Sequence, residues 1–194
     1  MHRLLAACVS ALAVLVTPIS SRAAWLDAEA PSAFNQRGAA VPAAPVVESN
    51  DDPRCRESER PAETHEDRLV MAKGWRLFHA YEAGWEIKVI WALSGYDGMC
   101  RPLGYQAFVF AKSAFAGTLS PTPMDSRTDA SLFSVRLFGP VVGPDPLVAT
   151  FDRYAQSDPL CCPSRKTVVR YRVDRSQAVP LLLPVAASTS TPER

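Results

Sequence analysis

Apolar and polar positions alternate through much of the chain after residue 74, and the alternation predicts strands. Residues 75–81 are followed by Glu82, Ala83 and Gly84, after which Trp85, Ile87, Val89, Trp91 and Leu93 alternate with Glu86 and Lys88. That spacing predicts a half-buried antiparallel hairpin. Residues 103–111 carry Tyr105, Phe108, Val109 and Phe110, apolar on both faces, and Lys112 and Ser113 turn the chain into residues 115–119, so this pair should be central. Residues 132–138, 147–154 and 166–173 are three further strand candidates, separated by Gly, Pro and Asp clusters at the spacing of an antiparallel sheet. Ahead of them Thr64 stands three residues before Asp67 and Gly74 closes the segment, which predicts a short capped helix. Parallel strands would need amphipathic helices of adequate length between them, and the connections lack these. The fold class is α+β or mainly β: a single antiparallel β-sheet domain with a short N-terminal helix, stapled by disulfides.

The two ends follow other rules. His2 and Arg3 precede an apolar stretch over residues 4–16 that only Ser10 interrupts, and small residues follow to Ala24. This is the layout of a secretory signal over residues 1–23, with cleavage after Ala23. The apolar run falls short of the roughly 20 residues a membrane-crossing helix needs. Leu5, Ala6, Ala7 and Cys8 resemble the motif at which a cysteine is lipidated, but Cys8 precedes most of the apolar run instead of following it, so plain secretion is expected over lipidation. Residues 24–53 are rich in Ala and Pro and read as a linker or extended arm, in which Trp25 and Phe34 could dock on the domain. The domain is expected over residues 54–184, and residues 185–194, with Ser, Thr and Pro and no apolar face, as a disordered tail.

Charge and cysteine usage sharpen this picture. Cleavage removes Arg3 and Arg22 and no acid, so Lys plus Arg falls from 21 to 19 against 20 Asp plus Glu. A nearly neutral protein whose densest basic stretch, Arg54, Arg56 and Arg60, is interleaved with Glu57 and Glu59 is a poor nucleic-acid binder. Cys55, Cys100, Cys161 and Cys162 remain, an even number in a chain sent to an oxidising compartment. A bond between adjacent Cys161 and Cys162 would close a strained eight-membered ring, so each is expected to reach a different distant partner, one Cys55 and the other Cys100. Each such bridge would contribute about 4 kcal/mol. Zinc is the rival reading. Cys55 and Cys100 have no second ligand nearby, and adjacent cysteines do not readily span two tetrahedral vertices.

Catalytic constellations are scarce. After cleavage only His65 and His79 remain, and there is no His-Glu-x-x-His pair, no Gly-x-Ser-x-Gly elbow and no phosphate-binding glycine loop. His79 reads as a hydrogen-bonded sheet histidine before a general base. Asp125, Arg127 and Asp129 lie in a proline-framed loop that could hold calcium, a carboxylate or a sugar hydroxyl; a surface turn with the Asp residues on backbone amides and Arg127 paired to one of them is the plainer reading. Trp75, Trp85 and Trp91 could form a sugar-stacking platform, although the alternation places Trp85 and Trp91 on the core face. A redox pair at Cys161 and Cys162 ranks below structural bridges, because thioredoxin-type chemistry prefers Cys-x-x-Cys at a helix start.

Phe115-Ala-Gly117-Thr118-Leu-Ser-Pro121, Phe151-Asp-Arg-Tyr154, Asp158-Pro-Leu-Cys161-Cys162-Pro163-Ser164 and Val169-Arg-Tyr171 together resemble the LppP/LprE type of small exported bacterial lipoprotein. The Cys-Cys-Pro-Ser turn carries most of the specificity. The resemblance implies an envelope location and brings no catalytic residue. The expected function is that of an exported, noncatalytic cell-envelope domain, periplasmic or secreted, that needs no cofactor or metal and binds an envelope glycan or protein. The alternative is a small periplasmic hydrolase using carboxylates such as Asp125, Asp129 or Asp158.

Overall fold

The computed structural model describes residues 24–50, 52–84, 86–137 and 147–191. The expected signal over residues 1–23 and the side chain of Trp85 lie outside these. The expected helix forms as α1 (His65–Met71), where the Thr64 side chain accepts from the Asp67 amide while the Asp67 carboxylate accepts from the Thr64 amide. The described residues also form eleven strands: β1 (Arg76–Leu77), β2 (Glu82–Gly84), β3 (Ile87–Leu93), β4 (Gly95–Tyr96), β5 (Pro102–Leu103), β6 (Gln106–Ala111), β7 (Ala114–Thr118), β8 (Asp129–Leu137), β9 (Leu147–Arg153), β10 (Arg165–Asp174) and β11 (Leu181–Ser190).

The structure is mostly β and antiparallel, as the alternation predicts, but it has several sheets where a single one was expected. β1, β2, β3, β6 and β7 form one sheet, β8 to β11 a second in the order β11-β10-β9-β8, and β4 and β5 a small ribbon. The β6–β7 turn is made by Lys112 and Ser113, both at positive φ, 48° and 63°, the handedness that matches strand twist in a two-residue hairpin. Sequence spacing gives the strands but not how they divide between sheets.

The division explains a second correction. β3 is buried on both faces, not half-buried. Val89, Trp91 and Leu93 pack with Phe151, Val169, Tyr171 and Leu182 of the second sheet. Ile90 and Ala92 face the other way and pack with Val70 of α1, Trp75 and Val41. Lys88 on that same outer side meets Glu66 of α1 at 2.9 Å. The first sheet is therefore the middle layer of three, and its central strands carry apolar side chains on both faces because both are covered.

Of the two readings of this segment, residues 24–50 form the extended arm, docked on the domain, and not a linker. They run over both sheets, with Leu26 only 1% exposed. Trp25 packs edge-on against Phe34 and Phe151, with ring centroids 5.3 Å apart in each case. Prolines hold this strap extended and leave their carbonyls free to accept: Trp75 Nε1 donates to Pro42 O at 2.7 Å, and Ser94 Oγ donates to Pro45 O. The Ala187 amide donates to Glu29 O at 2.8 Å. The tail expected to be disordered is strand at least to Ser190, since residues 181–190 form β11 on the edge of the second sheet. Pro184 sits beside a register shift opposite Arg170 and Tyr171, where the missing amide costs no regular ladder bond.

Candidate functional site

The second sheet ends at β8, and this edge is irregular. Pairing with β9 runs Leu132 to Phe151 and then Ser134 to Thr150, so Phe133 is the extra residue of a bulge. Its neighbours Leu132 and Val135 are buried, whereas Phe133 is 62% exposed. Lys166 of β10 places Nζ 4.3 Å from the centroid of its ring. The ring is thereby held on one side by a cation–π contact and left open elsewhere.

Facing this edge is the bend between β1 and β2. His79 has a φ of 58°, a left-handed turn, and its carbonyl accepts from Arg60 Nε at 2.9 Å. Arg60 is itself fixed by two hydrogen bonds to the Asp67 carboxylate, at 2.9 and 2.7 Å. The His79 imidazole lies 4.5 Å from the Phe78 ring and 6.2 Å from Trp91. Burial pushes its pKa down, so the ring is neutral at pH 7. His79 is thus at a bend and not in a strand. Between the bend and β8 lies a groove of about 460 Å³ whose walls include Phe78, His79, Trp91, Tyr105 and Phe133, with Ser126 and Ser134 among its polar groups. Tyr105 OH donates to Leu132 O at 3.3 Å across its floor, and burial raises this phenol far above its ordinary value. The groove is an aromatic surface with hydroxyl groups and the Glu82 side chain beside it, suited to stacking and hydrogen bonding.

The loop of Asp125, Arg127 and Asp129 borders the groove through Ser126, and its Asp125 and Asp129 line a separate, smaller pocket of about 280 Å³. Asp125 Oδ1 accepts from the Gly104 amide at 2.7 Å. Asp129 turns to Arg153, with Arg165 3.7 Å away. Arg127 occupies a left-handed position at φ 60°; burial and the Asp152 carboxylate raise the nearby Tyr154 phenol, and the Arg127 charge offsets only part of that rise. Asp158 caps a turn, accepting from the Ala155 amide at 2.7 Å and the Ser164 amide at 2.8 Å. The carboxylates named for the hydrolase reading are therefore each engaged in holding backbone or Arg153. Among the described residues no three His, Cys, Asp or Glu side chains gather as a metal site requires. Of the expected tryptophan platform, Trp75 is buried in the core and Trp91 reaches only the groove wall.

The cysteines pair differently from the expectation. Cys55 bonds to Cys100, with Cα atoms 4.7 Å apart, and Cys161 bonds to its neighbour Cys162. Ring strain argued for cross-pairing, but proximity decides: Cys55 sits in the 3₁₀ turn Pro53–Ser58 against the β4–β5 loop that carries Cys100, while residues 161–162 are at the tip of the β9–β10 connection.

Sequence reasoning missed Phe133 and Arg153. Phe133 had a visible signal, since Leu132 and Phe133 are adjacent apolar residues between Ser131 and Ser134 and so break the alternation. Arg153 had none, because its partners lie far along the chain.

These features define a small disulfide-bonded domain of layered antiparallel sheets with an aromatic groove at one open edge. Residues 81–176, from just before β2 to just past β10, match the model of the LppP/LprE lipoprotein family. That match points to an exported, envelope-associated protein. Neither curated proteins nor solved structures gave a match. No helix among the described residues is long and apolar enough to cross a membrane.

Proposed function

We propose that the chain is a noncatalytic binding domain of the cell envelope, exported through a signal cleaved near Ala23, and that it holds an envelope glycan in the groove between β8 and the His79 bend. The exposed ring of Phe133 carries this reading. A bulge turns a large aromatic out of the strand, next to buried Leu132, and Lys166 steadies it, an arrangement with no benefit to the core. Sugar rings offer apolar C–H faces that stack on such a ring, and their hydroxyls would find Ser126 and Ser134 in the same groove. The neutral His79 adds a flat partner without a charge to desolvate.

Intrinsic tryptophan fluorescence, to which Trp91 in the groove wall contributes, tests the proposal directly. Titration with soluble peptidoglycan fragments and, separately, with N-acetylglucosamine oligomers is expected to give saturable binding to at least one of the two. Phe133→Ala should raise that Kd by about tenfold, the equivalent of losing one good aromatic contact. Absence of binding to both probes, or equal affinity of the variant, would overturn the assignment.

A further inference from the structure

The bond between Cys161 and Cys162 joins residues one position apart and closes no loop, so chain entropy gives it nothing to stabilise. The connection that carries it is already closed by other means. Asp158 ties the Ala155 and Ser164 amides, its own amide donates to Ala155 O at 3.0 Å, and the Cys162 amide donates to Pro159 O at 3.0 Å. Both cysteines are exposed at the tip, beside Leu160, which is 57% exposed. Cys55–Cys100 is the opposite case: Cys55 is 2% exposed and the bridge closes a separation of 45 residues.

We propose that Cys161–Cys162 is a redox-active site that exchanges with a dithiol, while Cys55–Cys100 stays oxidised as the structural bridge. A thiolate of the dithiol attacks one of the two sulfurs. The Cys161–Cys162 bond breaks, a mixed disulfide forms, and the other cysteine leaves as a thiolate that takes up a proton. The second thiol of the reagent, deprotonated, then attacks the mixed disulfide, which releases the remaining cysteine as a thiol and leaves the reagent as an intramolecular disulfide. Two electrons and two protons pass from the dithiol to the protein. The Asp158 turn holds the connection through both states, so the thiols remain presented, and exposed Leu160 offers an apolar contact to a protein dithiol. An accessible disulfide that contributes little to the fold is the kind that exchanges readily.

The experiment uses the full mature protein, folded, in graded dithiothreitol, with acid quenching, alkylation and peptide mass mapping. Cys161 and Cys162 should be half-labelled at a reductant concentration at least about tenfold below that for Cys55 and Cys100. Oxidised dithiothreitol added in excess before the quench should re-form the bond and prevent the labelling, and the melting temperature should not move on this first reduction. Simultaneous labelling of all four cysteines, labelling of Cys55 and Cys100 first, or resistance of Cys161 and Cys162 up to global unfolding would each overturn the proposal. Cys161 and Cys162 alkylated without any reductant would overturn it as well, since the bond would then be absent. The double variant Cys161→Ser with Cys162→Ser separates a structural role: it should melt with the wild type, and a clear fall would identify the bond as a staple.

Discussion

Arg153 and Asp27 stand 126 residues apart in sequence, yet the guanidinium donates to the carboxylate at 2.8 Å. The Arg153 side chain is wholly buried in β9, and it also donates to Asp129 of β8 and, at 3.1 Å, to Thr167 of β10. A buried cation needs its acceptors, and Asp27 is the one supplied by the strap. Asp27→Ala should therefore cost about 1–2 kcal/mol even though the carboxylate it removes is half exposed, because Arg153 is left short of a partner in the interior. Urea denaturation gives the value. An unchanged midpoint would mean that the start of the strap is not docked in solution.

The strap is fastened a second time at Gly117. The Asn35 side chain behaves as a strand partner for the edge of the first sheet: its Oδ1 accepts from the Thr118 amide at 2.9 Å, and its Nδ2 donates to Thr118 O at 3.0 Å and to Leu182 O at 3.2 Å. Gly117 makes room for it. A Cβ on this residue would stand 2.4 Å from Asn35 Cγ, and the φ of 145° is one that other residues rarely adopt. Gly117→Ala should thus expel Asn35 from the edge and destabilise by about 1–3 kcal/mol. Asn35→Ala, which leaves the backbone free, should cost less, and the two losses should not add in the double variant. Additive losses would disconnect the glycine from the asparagine.

Local features were readable in the sequence because their causes are local. The Thr64 and Asp67 cap, the Lys112–Ser113 turn and the alternation along β9 and β10 each depend on neighbours in the chain. β11 and the fastenings of the strap beyond Trp25 and Phe34 were not readable for the converse reason. Ala187 and Ser188 show no apolar face of their own, and they form strand because β10 offers a ladder; Asn35 and Asp27 are informative only once Gly117 and Arg153 are beside them. The groove falls in the same class, since it depends on how β8 sits against the bend at His79. The cysteine pairing failed where a strain argument was asked to settle a question of proximity.

Acid should loosen the packing of α1. Burial opposes ionisation of Asp67, but two hydrogen bonds from Arg60 and the amides of Glu63 and Thr64 outweigh it and bring the pKa from 3.8 down to about 2. A carboxyl whose folded pKa lies below its unfolded value contributes stability above the unfolded value and loses it as pH falls toward the folded one. The contribution, about 2 kcal/mol, should be complete above roughly pH 5 and gone near pH 2. Denaturation midpoints measured from pH 7 to pH 2 should fall through that window in the wild type and fall less in Asp67→Asn. Parallel curves for the two proteins would count against this account, as would an Asp67→Asn variant of full stability at pH 7.

Cys55–Cys100 is the bond on which the fold's resistance to unfolding depends. It ties the segment between the strap and α1 to the β4–β5 loop, and Asn50, whose side-chain amide donates to Cys55 Sγ at 3.7 Å, ties the same place by donating its backbone N–H to Tyr96 O at 2.8 Å. Closing a separation of 45 residues is worth about 4 kcal/mol in the chain-entropy account. The double variant Cys55→Ser with Cys100→Ser leaves no unpaired thiol and should lower stability by about 2–5 kcal/mol. For a chain of this size that corresponds to a melting temperature lower by roughly 10 °C. Differential scanning calorimetry of the variant beside the wild type checks it. A fall of less than about 2 °C would mean that the hydrogen bonds around Asn50 and Tyr96 hold this junction without the bridge.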